Sequence, residues 1–381
     1  MSFQKNLLRF NGLLLLLLVL PTGAIGQHYV QANLVSSIPG VGSNPLDVQL
    51  LNPWGLSRGP TSPWWVSDNG TGLSTIYNGA GVKQSLVVTI PVPSGVTGSS
   101  TPTGVVFNGT ADFSVPGSSA PTRFIFVTQE GTVAAWNGGS TAVTVVDRSK
   151  EDAIFMGCTI GELNGKHYLY VANFHSGKIE VYDASFHRIK LSGNTFVDNL
   201  GNIDNESENG RGTDPREQRN NFAPFNVQAI GTNIYVAYAM QDSDKEDEVA
   251  GAGLGFVTVY DTAGNRLGRL QHGDWFNAPW GLAMAPGEFG EFSHSLLVGM
   301  FGSGQIAAFN PVDGSFLGLM KDTGDAVLSI EGLWALGFGA GNTNSGPYNT
   351  LYFTAGPRDE EDGLFGTLVP IPAELAEADE P

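Results

Sequence analysis

The sequence predicts an all-β protein, a six-bladed β-propeller whose N-terminal strand closes the last blade. A short motif of the Pro-x-Gly type recurs six times at intervals of about 50 residues, a repeat length typical of propeller blades. Each copy precedes segments rich in aromatic and β-branched residues, as strands require. The chain also has 51 glycines and 21 prolines, which supply the tight turns of an all-β fold.

Each motif is predicted to be a turn that enters the first strand of a blade. Five of the six end in Gly, and the fourth ends in Asn. The motifs are Pro53-Trp54-Gly55, Pro102-Thr103-Gly104, Phe155-Met156-Gly157, Pro224-Phe225-Asn226, Pro279-Trp280-Gly281 and Ile330-Glu331-Gly332.

The second strand of each repeat has the clearest strand composition. These segments are Trp64–Ser67, Phe124–Val127, Tyr168–Val171, Ile234–Ala237, Leu296–Gly299 and Leu351–Thr354. In five repeats the third strand ends in an aromatic residue followed by Asn or Asp, a residue pair typical of a strand that enters a turn.

The last repeat supplies only three strands before the chain becomes acidic. The segment Tyr29 to Ser37 alternates like a strand and precedes the first repeat, so it has no partner nearby. We expect it to form the outer strand of the sixth blade, because that pairing closes the ring and covers a sheet edge.

The two ends of the chain are predicted to lie outside the propeller. Lys5 and Arg9, the apolar run Leu13 to Leu20 and the small residues Ala24-Ile25-Gly26 predict a signal peptide over residues 1–26. The predicted propeller spans residues 27–370, and residues 371–381 form an acidic flexible tail. We therefore expect a secreted, extracellular protein. No membrane span is expected, because no apolar segment approaches the roughly 20 residues that crossing requires.

The charge balance limits the classes of partner. Asp and Glu number 37 against 19 Lys and Arg, a formal net charge of −18. Nucleic acid is excluded as a partner, because phosphate binding requires clustered basic residues. Small molecules, carbohydrates, cations and proteins remain possible ligands. Cys158 is the single cysteine, so no internal disulfide is possible, and we expect it to be a small buried core residue.

Several motifs resemble those of a family of exported, functionally uncharacterised propeller proteins with NHL-like repeats, found widely in bacteria and in some eukaryotes. The motifs are Asn52-Pro53-Trp54-Gly55-Leu56, Trp65-Val66-Ser67-Asp68-Asn69-Gly70-Thr71-Gly72, Ala172-Asn173-Phe174-His175, Ala223-Pro224-Phe225-Asn226, Asn277-Ala278-Pro279-Trp280-Gly281-Leu282 and Thr354-Ala355-Gly356-Pro357. The resemblance covers about Asn33 to Leu368 and implies an exported six-bladed propeller. It implies no activity.

Topology places the candidate functional residues around one axial mouth. In a four-stranded blade, the turn that enters the first strand and the turn between the second and third strands share a face. We expect binding residues there from both sets of turns. They are Trp54, Asn69, Asn173, Phe225, Gln241 and Trp280. The aromatic members are equally compatible with a plug in the axial channel.

Oxygen-rich side chains at this mouth are compatible with a calcium ion, which prefers six to eight oxygen ligands. The candidate metal ligands are Asp68, Asp242, Glu331, Asp359 and Glu361. A bound metal would polarise a carbonyl group, with His175 as the candidate general base. However, the entry turns lack most of the acidic and amide ligands that lactonase propellers carry there.

The leading hypothesis is a secreted scaffold that binds a ligand or protein through its acidic, aromatic mouth. The alternatives are a calcium-assisted hydrolase of small esters or lactones and a structural extracellular protein. The sequence leaves open whether the protein is an enzyme. It also leaves open whether the segment Asn199 to Asn221 forms a lid, and whether Asn69, Asn108 and Asn205, each in a glycosylation sequon, carry glycans.

Overall fold

The computed structural model describes residues 27–115, 117–118, 120–193, 195–198 and 221–372. The predicted signal peptide, nearly all of the predicted tail and the possible lid from Asn199 to residue 220 lie outside these residues. Asn205, with its sequon, lies outside them as well. Within the described part, no helix has the length and apolar character that a membrane crossing requires.

The described strands form six sheets, each of which is one blade of a propeller, and this confirms the predicted fold. The first strand in the chain is β1 (Tyr29–Ser36). Blade I contains β2 (Pro53–Ser57), β3 (Trp64–Asp68), β4 (Leu73–Tyr77) and β5 (Val88–Thr89). Blade II contains β6 (Pro102–Phe107), β7 (Phe124–Thr128), β8 (Thr132–Trp136) and β9 (Val143–Asp147). Blade III contains β10 (Phe155–Leu163), β11 (Lys166–Asn173), β12 (Lys178–Tyr182) and β13 (Arg188–Ile189).

The remaining three blades follow the same order. Blade IV contains β14 (Phe222–Ile230), β15 (Asn233–Gln241), β16 (Glu248–Val249), β17 (Phe256–Asp261) and β18 (Arg266–Arg269). Blade V contains β19 (Pro279–Met284), β20 (Leu296–Met300), β21 (Ile306–Phe309) and β22 (Phe316–Leu319). Blade VI contains β23 (Leu333–Phe338), β24 (Leu351–Ala355) and β25 (Leu364–Pro370).

The N-terminal strand closes the ring, as predicted. Strand β1 pairs antiparallel with β25, so blade VI has the order β1-β25-β24-β23. The closing strand also contacts blade V, because the Tyr29 hydroxyl donates to the carbonyl oxygen of Phe289 at 2.9 Å and the Tyr29 ring packs on Phe289 and Phe292. Strand β1 therefore joins the N-terminal and C-terminal parts of the propeller within blade VI, and it also contacts blade V.

The Pro-x-Gly motifs differ in detail from the prediction. Pro53, Pro102 and Pro279 are the first residues of inner strands, and a β-bulge follows each of them. The third position of these motifs is glycine because a side chain there would clash with the next blade. A Cβ atom on Gly55 would lie 2.4 Å from the carbonyl oxygen of Thr103 in the next blade, and one on Gly104 would lie 2.8 Å from the amide nitrogen of Cys158. At these two motifs the neighbouring inner strand is therefore too close for a side chain.

An aromatic cluster fills the propeller axis. Trp54 stacks on Trp334 with ring centroids 3.6 Å apart, and the rings of Phe225 and Trp280 meet Trp54 edge-on at 6.2 and 6.3 Å. Phe301 also stacks on Trp334, with ring centroids 4.0 Å apart. Next to this cluster the axis keeps a void of about 20 Å³, which is room for about one water molecule. The aromatic cluster therefore blocks passage along the axis.

Candidate functional site

The mouth is formed by the loops that leave the second strand of each blade and by the segments that enter the first strand. The pairing register explains this arrangement, since the first residue of the first strand in a blade pairs with the last residue of the second strand. Pro53 pairs with Asp68, for example, and Phe155 pairs with Asn173. Loops of different blades consequently meet on one face of the ring, as the sequence predicted.

Part of this face is a cavity of about 470 Å³ between the loops of blades II, III and IV. Of the candidate site residues named from the sequence, His175 lines it. The complete lining is Pro93, Val96, Thr101, Gln129, Glu130, Ser149, Asp152, Ala153, Ile154, His175, Glu246 and Asp247. A volume of this size is within the usual range for small-molecule sites.

The cavity carries acidic groups without a Lys or Arg side chain in its lining. Four carboxylates line it, those of Glu130, Asp152, Glu246 and Asp247, whereas no Lys or Arg does. Burial raises the pKa of Asp247, and the nearby charge of Asp242 raises it further. The cavity is therefore electrostatically suited to a positively charged group.

Two half-buried side chains in the cavity have incomplete hydrogen bonding. Glu130 Oε1 accepts a hydrogen bond from the Thr101 amide at 2.9 Å, while Glu130 Oε2 is enclosed without a donor. The Nδ1 atom of His175 is also enclosed without a partner. Since unpaired buried polar atoms typically cost 1–3 kcal/mol, both are positions where a ligand or a side-chain rotation would gain a hydrogen bond.

Gln241 positions the loop that carries His175. Its Nε2 atom donates to the carbonyl oxygen of Phe174 at 2.7 Å, and a weaker contact reaches the carbonyl oxygen of His175 at 3.5 Å. Phe174 itself packs against Phe225 in the axial cluster. Gln241 was predicted as a binding residue, and the structure places its amide between two mouth loops.

The side chains of Asp68 and Asn173 form hydrogen bonds within their own blades. Both oxygens of the Asp68 carboxylate accept hydrogen bonds from Thr75, at 2.8 Å from the amide and 3.1 Å from the hydroxyl. Burial raises the pKa of Asp68 well above its usual value, although these hydrogen bonds oppose the shift. Asn173 Nδ2 donates to Glu180 Oε1 at 3.0 Å in the equivalent place. The two side chains connect the second strand of a blade to the third.

A chain of amide and carboxylate groups crosses the mouth from blade VI to blade II. Trp334 Nε1 donates to Asn52 Oδ1 at 3.0 Å, and Asn52 Nδ2 donates to Glu360 Oε2 at 2.5 Å and to Asn69 Oδ1 at 3.5 Å. Asn69 Nδ2 then donates to Gln129 Oε1 at 3.0 Å. Asn69 is buried within this network, so it fixes the geometry of the rim.

The acidic turn of blade VI adopts an uncommon backbone. Arg358, Asp359 and Glu360 have φ angles of 59°, 52° and 65°, three consecutive non-glycine residues in the left-handed region. Such residues are strained by roughly 1–2 kcal/mol each and concentrate at functional sites. Glu331, a candidate metal ligand, accepts a hydrogen bond from the Arg358 amide at 2.9 Å. Its carboxylate therefore helps to hold this turn.

The second acidic segment is a hairpin that extends blade IV. Gln241 and Met240 of β15 pair with Glu248 and Val249 of β16. Burial raises the pKa of Glu248 to about 8, with further contributions from the charges of Glu360, Asp247 and Asp242. Charges of both acidic segments, one in blade IV and one in blade VI, therefore contribute to this shift.

The five candidate metal ligands do not form one cluster. Asp359 and Glu361 are exposed, Asp242 Oδ1 accepts a hydrogen bond from the Glu246 amide at 3.0 Å, and Asp68 is enclosed in blade I. Within the described ranges, no three His, Cys, Asp or Glu side chains are arranged to hold a metal ion.

The three aromatic candidates are buried in the axial cluster. Trp54, Phe225 and Trp280 are 3%, 0% and 4% exposed. Trp280 Nε1 donates to the carbonyl oxygen of Met156 at 3.3 Å. In this conformation their ring faces are covered by one another, which is the plug arrangement.

Sequence reasoning gave no role to several residues that shape the mouth. Glu130, Glu360, Asn52, Asp152, Glu246 and Glu248 are not among the candidate site residues predicted from the sequence. For Asn52 the residue type was a usable signal, and the structure gives it a φ of 43° in the left-handed region. Asparagine is one of the few residues that adopts this region readily.

Comparison with known proteins identifies viral relatives. The chain is 30% identical over 331 residues to the Uncharacterized protein R648 of Acanthamoeba polyphaga mimivirus, covering 84% of this chain and 76% of the viral protein. It is 29% identical over 334 residues to the Uncharacterized protein L690 of the same virus, covering 85% and 81%.

A structural genomics protein of unknown function from Bacteroides thetaiotaomicron has a similar structure, with a TM-score of 0.51 and 11% identity over 91% of this chain and 76% of that one. At this identity the likeness concerns the fold alone. No family model matches the sequence. The extent of the match to the first viral protein nevertheless establishes a relationship, and the chain belongs to the family of the mimivirus protein R648.

Proposed function

We propose that this protein is a secreted binding scaffold whose ligand surface is the mouth. The observation that carries the proposal is the acidic cavity between the loops of blades II to IV, beside a filled axis. Loops held by a rigid scaffold are the usual location of binding residues. Export rests on the predicted signal peptide over residues 1–26 and on the resemblance to exported NHL-like propellers.

The cavity supports binding more directly than it supports catalysis. A hydrolase requires a base near an activated water or a polarised carbonyl group, and no preformed set of three metal ligands occurs among the described residues. His175 keeps the hydrolase of esters or lactones as a second candidate, because it lines the cavity and its Nδ1 atom lacks a partner. Calcium as a cofactor of that activity remains a separate proposal.

The test is a screen of ligand classes, followed by hydrogen exchange that locates the bound ligand on the protein. Sugars, amines, short peptides and calcium would be screened by thermal shift, and each ligand that raises the melting temperature would be mapped by hydrogen exchange. We expect protection in the loops 129–131, 149–154, 174–177 and 242–248. Protection confined to the loops of the opposite face, such as 285–295, would contradict the proposal.

His175→Gln separates the binder from the hydrolase. The substitution keeps much of the side-chain size and removes a base that titrates near neutral pH. An enzyme that uses His175 would lose about 10²–10⁴-fold in turnover while keeping its fold. We expect no ester or lactone hydrolysis by the wild-type protein, and measurable hydrolysis that is lost in the variant would overturn the binding proposal.

A further inference from the structure

We propose that the cavity between blades II, III and IV binds an organic cation, an ammonium group attached to an apolar body about the size of one aromatic ring. This inference rests on the proposed binding function and specifies its ligand class. It follows from the charge of the lining, from its apolar wall and from an enclosed carboxylate oxygen that lacks a donor.

The charge of the cavity selects against anions and favours a cation. Glu130, Asp152, Glu246 and Asp247 contribute carboxylates from three different blades or their entry segments, and the lining contains no Lys or Arg. Three basic residues are chain neighbours of lining residues. Lys150 and Lys245 are exposed and outside the cavity lining, and Arg148 forms ion pairs with Glu151 and Glu180, which also lie outside it. A cation that enters the cavity would reduce the repulsion among these carboxylates.

The apolar wall selects an organic cation over a metal ion. Pro93, Val96, Ala153 and Ile154 form this wall, and Val96 is 48% exposed. Covering such surface stabilises a complex by about 25 cal/mol per Å². A hydrated inorganic ion gains nothing from it, whereas the ring or alkyl part of an amine does.

Glu130 provides the specific contact. Its Oε1 atom already accepts the Thr101 amide, which fixes the carboxylate, while Oε2 is enclosed without a donor. A ligand N–H that reaches Oε2 after a small side-chain rotation would form a charge-assisted hydrogen bond, the stronger class of hydrogen bond in proteins. The cavity thus offers one anchored carboxylate beside an apolar surface.

The experiment uses 2-phenylethylamine as the probe and 2-phenylethanol as its neutral counterpart, with binding measured by calorimetry and by NMR titration. Small ligands of this kind bind in the millimolar range or better, so the titration extends to about 10 mM. We expect the amine to bind and the alcohol to bind at least tenfold more weakly. Equal binding of the two, or no binding of the amine by about 10 mM, would overturn the proposal.

Matched charge variants locate the site. Glu130→Gln and Glu246→Gln should each weaken binding of the amine, about tenfold for Glu130, because they remove a carboxylate from the cavity. Glu288→Gln is the control, since Glu288 is exposed in the 285–295 loop on the opposite face. Weakening by Glu288→Gln of the same size would show that net charge alone attracts the amine and would overturn the assignment.

The outcome distinguishes this inference from the proposed function. If sugars or peptides protect the mouth loops while 2-phenylethylamine fails to bind, the scaffold function stands and the organic-cation assignment is wrong. If calcium alone binds, and calcium binding is lost in Glu130→Gln, the cavity selects an inorganic ion, which also overturns the assignment.

Discussion

Replacing Glu248 by Gln should stabilise the protein, and the gain should grow as the pH rises. Burial, together with the charges of Glu360, Asp247 and Asp242, raises the pKa of Glu248 to about 8 in the folded protein. Its pKa in the unfolded chain is near the ordinary value of 4.5. The folded state therefore holds a proton that the unfolded state has lost between these two pH values. Stability contributed by this group consequently falls as the pH increases from about 5 to about 8.

The expected size follows from the same two pKa values. One unit of pKa difference corresponds to about 1.4 kcal/mol, so the interval from pH 5.5 to pH 8.5 sets an upper bound of roughly 3–4 kcal/mol. Glu248 lies on a two-residue strand at the end of a hairpin, and a small movement toward solvent would reduce the cost of ionisation. We therefore expect the stability difference between Glu248→Gln and wild type to increase by about 2 kcal/mol over this interval.

The assay is urea unfolding of both proteins at pH 5.5 and pH 8.5, followed by tryptophan fluorescence. Glu288→Gln controls for the loss of one negative charge on the opposite face of the propeller. Carboxyl groups with raised pKa values that do not interact with Glu248, such as Asp68, contribute the same pH slope to both proteins and cancel in the difference. Parallel stability curves for wild type and Glu248→Gln would refute the reasoning.

Three further predictions concern the rest of the molecule. Deleting residues 29–37 removes β1 and exposes the edge of β25, so we expect aggregation and a lower melting temperature; unchanged monodispersity and melting would contradict ring closure by β1. Expression in a glycosylating host should leave Asn108 unmodified, because its Nδ2 donates to the carbonyl oxygens of Asp112 and Thr122, and mass spectrometry that finds a glycan there would contradict this placement. Cys158 should resist thiol reagents in the native protein and react after denaturation, because burial raises its pKa; rapid native labelling would contradict its buried position.

Much of the architecture could be predicted because the same physical requirement occurs in every blade. The second strand is covered on both faces by neighbouring blades, so its residues are apolar without alternation, as in Phe124–Thr128, where every residue is buried. Six such segments at a regular spacing leave few alternatives to a ring. The partner of Tyr29–Ser36 followed from the missing strand of the last repeat.

The positions of individual mouth side chains were harder to predict. Asp68 is the last residue of β3 and Asn69 is the next one, yet Asp68 enters the blade and bonds to Thr75, whereas Asn69 reaches Gln129 in the neighbouring blade. A shift of one residue changes the face on which a strand side chain lies. Sequence patterns do not locate the end of a strand to within one residue.

The acidic segments show a second limit. Composition identifies the run from Gln241 to Glu248 as polar, but the pairing of Gln241 with Glu248 depends on backbone hydrogen bonds that charge does not encode. The same holds for Glu360, whose contact with Asn52 joins residues that are 308 positions apart. Such contacts between residues distant in sequence depend on how the blades are arranged around the ring.

The filled axis restricts side-chain replacement more strongly than the mouth does. Trp54, Trp280 and Trp334 meet one another at the axis, and close packing there restricts what can replace them. The mouth loops are free of that restriction, since a loop can change its side chains while the strands beneath it remain fixed. If the mouth is the ligand surface, residues such as Glu130 and Glu246 should differ among relatives while the aromatic cluster is kept. The decisive comparison among relatives is therefore the charge of the residues that line this cavity.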